Sequence, residues 1–81
     1  MEITGIKEML TYLVANLVDD PAAIQVNVLE NGNTITLQLR VAAEDMGRVI
    51  GRQGRIAKEI RTLIKAMGLR DDKRVMVDIL D

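Results

Sequence analysis

The spacing of apolar residues changes period three times along this chain, and that alternation limits what it can fold into. Ile6, Met9, Leu10, Leu13, Val14, Leu17 and Val18 recur at i, i+3, i+4, i+7 and onward, the pattern of one helical stripe. From Ile24 to Val41 the period is two. Ile24, Val26 and Val28 alternate with Gln25 and Asn27, and Ile35, Leu37, Leu39 and Val41 alternate with Thr34, Thr36, Gln38 and Arg40. Helical spacing returns in Ile56, Ile60, Leu63, Ile64 and Met67. Val75, Val77 and Ile79 then alternate once more.

These periods predict a helix over 4–18, with Thr4 as N-cap and Asp19-Asp20-Pro21 as its stop. Strands over 24–29 and 34–41 follow, joined as a hairpin through Asn31-Gly32-Asn33. A short helix over 44–50 leads to the turn Gly51 to Gly54. A long helix over 55–67 closes on Gly68 as a left-handed C′ residue, and a strand over 75–79 completes the order α-β-β-α-α-β. Neither a repeat nor a linker divides the chain, so one domain over 1–81 is expected.

Composition narrows the chemistry. The chain has no Cys, His or Ser, which removes thiol chemistry, the commonest metal ligand and general base, and the commonest hydroxyl nucleophile. No catalytic constellation, metal site or cofactor is expected. The N-terminus lacks the basic start of a signal peptide, and no apolar run approaches the ~20 residues that span a bilayer. A cytoplasmic protein without membrane contact is the expectation.

Net charge is −1, but it is unevenly spread. The stretch from Arg40 to Arg74 holds ten basic residues against five acids, a net of +5, while the remainder nets −6. On the second long helix Arg55, Lys58, Arg61 and Lys65 fall opposite the apolar arc. Such a stripe is either a solvated face or a surface for polyanions, for which the local field matters more than the total charge.

Gly51-Arg52-Gln53-Gly54 sits where those two possibilities part. Two glycines joining helices can serve backbone freedom alone. This turn also opens a helix, where unpaired N–H groups and the positive end of the helix dipole favour anions. Arg52 and Gln53 project from its tip, Arg48 and Arg55 flank it, and Val49 and Ile50 precede it. A helix-turn-helix reader of duplex DNA needs polar residues early in its second helix, where this chain has Ile56 and Ala57. No Gly-Lys-Thr follows, so a mononucleotide P-loop is excluded, and the glycine spacing does not fit a dinucleotide fingerprint.

The run Val49-Ile50-Gly51-Arg52-Gln53-Gly54-Arg55-Ile56 resembles the Ile-Gly-x-x-Gly signature of the KH domain. The element order resembles its type II form, an α+β fold with a three-stranded sheet packed on one side by three helices. The longer stretch from Glu44 to Ile56 is similar to that of the small stand-alone bacterial KH proteins of the KhpA family. Ala43 departs from the Pro common there. The resemblance implies that Gly51, Arg52, Gln53 and Gly54 hold the backbone of single-stranded RNA. Arg48, Ile50, Arg55 and Lys58 would line the adjoining groove, with Arg40 on the far wall and 68–74 as the variable loop. It further implies an RNA chaperone-like, post-transcriptional regulator linked to cell growth and shape. Such a protein acts as a homodimer or with a larger KhpB-type KH protein. The competing expectation is a protein-interaction module with little RNA binding of its own, using exposed aliphatic residues such as Leu69 and Leu80.

Overall fold

The computed structural model describes residues 3–80. Helix α1 (Ile3–Ala15) is followed by strands β1 (Gln25–Asn31) and β2 (Thr34–Arg40), a short helix α2 (Met46–Ile50), the long helix α3 (Arg55–Leu69) and strand β3 (Arg74–Ile79). Single 3-10 turns at Pro21–Ala23, Ala43–Asp45 and Arg52–Gly54 link them. The expected order α-β-β-α-α-β and the α+β class hold.

The sheet is mixed, in the order β1-β2-β3. β1 and β2 pair antiparallel, and β2 and β3 pair parallel. The two-residue period puts Ile35, Leu37, Leu39, Val75 and Val77 on the helix-covered face, where all are buried. Ile6, Leu10 and Val14 of α1 and Ile60 and Ile64 of α3 meet them, with Val49 of α2. Fully burying each such aliphatic side chain stabilises the fold by about 1.5–3 kcal/mol. The core contains no aromatic residue, since Tyr12 is 65% exposed on α1.

Several boundaries move from where the sequence places them, four of them for a reason the structure shows. Thr4 already lies inside α1 rather than capping it, and α1 ends at Ala15 instead of Val18. There Leu17 N–H tightens onto Val14 O at 2.9 Å and Asn16 Nδ2 takes Tyr12 O at 2.8 Å. Leu17 and Val18 still pack on the core from the turn that follows. The hairpin loop is only Gly32-Asn33, because Asn31 pairs with Thr34, and the positive φ it needs falls on Gly32.

The largest shift concerns Gly68. It is not the left-handed residue closing α3 but a buried residue within it. A β-carbon there would lie 2.4 Å from Val75 Cγ2, so glycine lets the helix approach β3. The closing residue is Asp72, with φ 57. Lys73 N–H donates to Gly68 O at 3.0 Å and Asp72 N–H to Leu69 O at 3.2 Å, the paired bonds of a Schellman close. Aspartate tolerates this conformation better than most residues, which lets α3 run two residues past Met67.

Candidate nucleic-acid interface

The Gly51–Gly54 turn is built by three consecutive demands on its backbone. Gly51 has φ 77 and ψ 175, ending α2, with its N–H donating to Gly47 O at 2.9 Å. A β-carbon at Gly51 would stand 2.6 Å from Ile56 Cγ1, so both conformation and space require glycine there. Gln53 and Gly54 then adopt left-handed values, φ 58 and φ 75. A β-carbon on Gly54 would meet nothing within 4 Å, so its requirement is conformational alone.

This curl leaves specific groups open. Gly54 N–H donates to Gly51 O at 3.2 Å and Arg55 N–H to Arg52 O, closing the turn on itself. Among the described residues, nothing accepts from the N–H groups of Arg52 and Gln53, and no side chain hydrogen-bonds to the backbone of 51–57. The Arg52, Gln53 and Arg55 side chains are exposed, and Ile50 is half-buried beside them. The turn therefore presents donors and positive charge with no acceptor for them among the described residues.

The remaining expected site residues separate. Lys58 lines a shallow groove on one flank of α3 with Arg55, Glu59, Thr62, Leu63 and Ala66. Arg61 and Lys65 lie on the other flank, toward β3. The basic stripe inferred from α3 is thus two surfaces. Arg40 is exposed at the end of β2, opposite Gln25. The turn packs chiefly on α2 and α3, and Arg40 is carried by neither.

Arg48 is engaged elsewhere. Its Nη1 donates to Asp45 Oδ1 at 3.0 Å, and its Nη2 lies 3.1 Å from Asp19 Oδ2. Asp45 is the one buried charged residue among those described, 1% exposed, and its carboxylate also accepts the N–H groups of Asp19 and Asp20 at 3.1 Å each. The hydrogen bond from Asp19 N–H holds this carboxyl below its ordinary 3.8. The Asp20 N–H and the Arg48 charge act in the same sense, against the opposing effect of burial. The latch fastens the segment after α1 to the start of α2, whose far end is the glycine turn. Sequence reading did not foresee it; the i, i+3 spacing of Asp45 and Arg48 was the available signal.

Among the described residues no cluster of acidic side chains could hold a metal ion, and no helix is long and apolar enough to cross a membrane.

The family model for the KhpA/KhpB KH domain matches residues 7–79. The chain is 49% identical over 73 residues to the RNA-binding protein KhpA of Caldanaerobacter subterraneus subsp. tengcongensis, covering 90% of this chain and 97% of that protein. It is 50% identical over 74 residues to the RNA-binding protein KhpA of Clostridium acetobutylicum, covering 91% and 99%. The KhpA protein of Chlamydia trachomatis is 41% identical over 75 residues. Among solved structures, a crystal structure of an Aquifex aeolicus Era variant bound to GDP and aluminium fluoride superposes with a TM-score of 0.60 at 21% identity. That match covers 91% of this chain but 29% of the Era chain, and shows likeness of fold.

Proposed function

Since the chain belongs to the KhpA/KhpB KH-domain family, we propose that it binds single-stranded RNA through the Gly51–Gly54 turn. The observation that carries this reading is the pair of N–H groups on Arg52 and Gln53 for which no described residue supplies an acceptor. Phosphate oxygens satisfy such donors, and the glycines bring the sugar-phosphate backbone close. Arg52, Gln53 and Arg55 hold the strand. Ile50 offers apolar surface to an unstacked base, Lys58 extends the positive field along α3, and Arg40 faces the strand from β2. Arg48 adds charge beside the turn while its main partners are Asp45 and Asp19.

No aromatic platform lies near the turn, so binding depends on backbone contacts and has little sequence preference. One short site gives modest affinity, which pairing with a second copy or a larger KhpB-type protein raises through effective concentration. On this reading the protein is a cytoplasmic, chaperone-like regulator of RNAs linked to growth and shape, and not an enzyme. A second reading, association with protein through the Leu63 and Ala66 flank of α3, is favoured by Leu63 being 44% exposed.

The test is the double substitution Arg52→Asp with Gln53→Asp. Circular dichroism should be unchanged and gel-shift binding to single-stranded RNA lost. Undiminished binding would end the assignment.

A further inference from the structure

Arg48 is held between two acids of unequal standing. Its Nη1 donates to Asp45, whose side chain is 2% exposed, and its Nη2 lies 3.1 Å from Asp19 Oδ2, on a side chain 79% exposed. Asp45 has no freedom to leave. Its oxygens also accept the N–H groups of Asp19 and Asp20, and breaking away would leave a buried charge unpaired. Asp19 is tied only through its backbone. Its N–H stays with Asp45 whichever way its carboxylate turns. Among the described residues that carboxylate meets no donor but Arg48.

Arg48 also stands near the glycine turn. It is the one cation of α2, three residues before Gly51 and about 4.5 Å from it along the helix axis. A KH domain holds about four nucleotides, so a strand seated at the turn does not end there. The Arg48 side chain is 48% exposed, and its guanidinium has donors to offer beyond those turned to Asp45.

We propose that the Asp19 carboxylate is an internal stand-in for a phosphate: it occupies the Nη2 edge of Arg48 in the free protein and yields that edge to a phosphodiester of the bound strand, while Asp45 keeps Nη1. The proposal rests on the reading of the turn as a strand-binding site and extends it along α2. Charge balances, since one singly charged oxyanion replaces another on the same edge. The exchange is easy, because an exposed ion pair adds little stability and Asp19 is rehydrated when its side chain turns outward. Repulsion enforces it, because a carboxylate and a phosphate side by side on one guanidinium oppose each other. Asp45 is thereby a positioning residue. Its bond to Nη1 fixes the guanidinium plane, so the strand meets a donor already oriented. A purely structural clasp between α2 and the segment after α1 predicts the opposite sign: losing Asp19 would then weaken RNA binding or leave it unchanged.

The test is the binding of a fluorescein-labelled oligouridine, followed by anisotropy, to the unmodified chain and its variants. Asp19→Ala is compared with Asp20→Ala, since Asp20 is an adjacent exposed acid whose side chain does not touch Arg48. The general field of a lost acid acts on both alike, and both keep the N–H that Asp45 accepts. Asp19→Ala should bind about two- to fivefold more tightly than Asp20→Ala, the range of an exposed ion pair. Arg48→Gln should weaken binding and flatten its salt dependence by about 0.7. In that background the advantage of Asp19→Ala should vanish. Equal affinities of the two alanine variants, or an advantage that survives Arg48→Gln, overturn the exchange. Should circular dichroism show Arg48→Gln unfolded, the alanine pair decides the matter. The Arg52→Asp, Gln53→Asp variant keeps the two readings apart. If it abolishes binding while the alanine pair is equal, the exchange falls and the turn stands; if it leaves binding intact, both fall.

Discussion

Gly51 and Ile56 lie so close across the glycine turn that a single added β-carbon would sit 2.6 Å from Ile56 Cγ1. Ile56 is itself packed on the core, so it has little room to retreat. The turn is thereby pinned to the helix it opens, and its shape depends on core packing as well as on glycine. Gly54, three residues on, has open space around it.

The two glycines should respond differently to alanine. Gly51→Ala combines a left-handed penalty with a clash, and should destabilise the fold by about 2–4 kcal/mol and abolish RNA binding. Gly54→Ala should cost about 1–2 kcal/mol from conformation alone. Urea denaturation of both variants measures the difference. Equal losses would show that the Ile56 contact is immaterial.

Asp45 gives the protein an acid-sensitive joint. Its folded pKa lies below the ordinary 3.8, so the folded state binds fewer protons than the unfolded chain in that range. Its stabilisation is complete above the unfolded value and is lost as pH falls through the folded one. Melting curves should show Asp45→Asn with a Tm roughly 4–8 °C lower at neutral pH. The gap to the unmodified protein should close below pH 3.8. A gap that persists unchanged at the lowest pH would remove the ionised carboxylate from the explanation.

Gly68 and Val75 should be energetically coupled. Gly68→Ala places a methyl 2.4 Å from Val75 Cγ2 and 3.0 Å from Lys73 O, and should destabilise by about 1–3 kcal/mol. Val75→Ala alone leaves a small cavity. Combined, the two should cost less than the sum of the singles by at least about 0.5 kcal/mol, because the deleted methyls make room for the new one. Strict additivity in a double-mutant cycle would mean that the backbone of Lys73, rather than Val75, sets the limit.

RNA affinity should fall with salt. If four nucleotides are held by their backbone, log affinity plotted against log salt should slope by about −0.7 per neutralised phosphate, near −3 in all. Arg52→Gln should flatten the slope by about 0.7, while Arg61→Gln, on the other flank of α3, should not change it. A slope near zero for the unmodified protein would point to binding without phosphate contacts.

Local periodicity was enough to read the order of the elements. Side chains repeating every 3.6 or every two residues leave no other way to bury Ile6, Leu10 and Val14 together, or Ile35, Leu37 and Leu39 together. The glycine turn was legible for a related reason, since its four residues are contiguous and their backbone demands are local. Local sequence reads Gly68 as the residue that closes α3, whereas what requires glycine there is Val75, seven positions on, across a turn that Asp72 closes.

Charge was the harder property to read. Spacing on α3 groups Arg55, Lys58, Arg61 and Lys65 as one stripe, yet β3 packs so as to divide them. Position in the chain assigns Arg48 to the groove, yet Asp19, 29 positions earlier, stands beside it. The amino-acid order by itself determined the helices, the strands and the glycine turn, because each rests on interactions between near neighbours in the chain. Only the tertiary structure decided which cations face an open groove and which are held by an acid, because a charge is defined by what stands beside it in space.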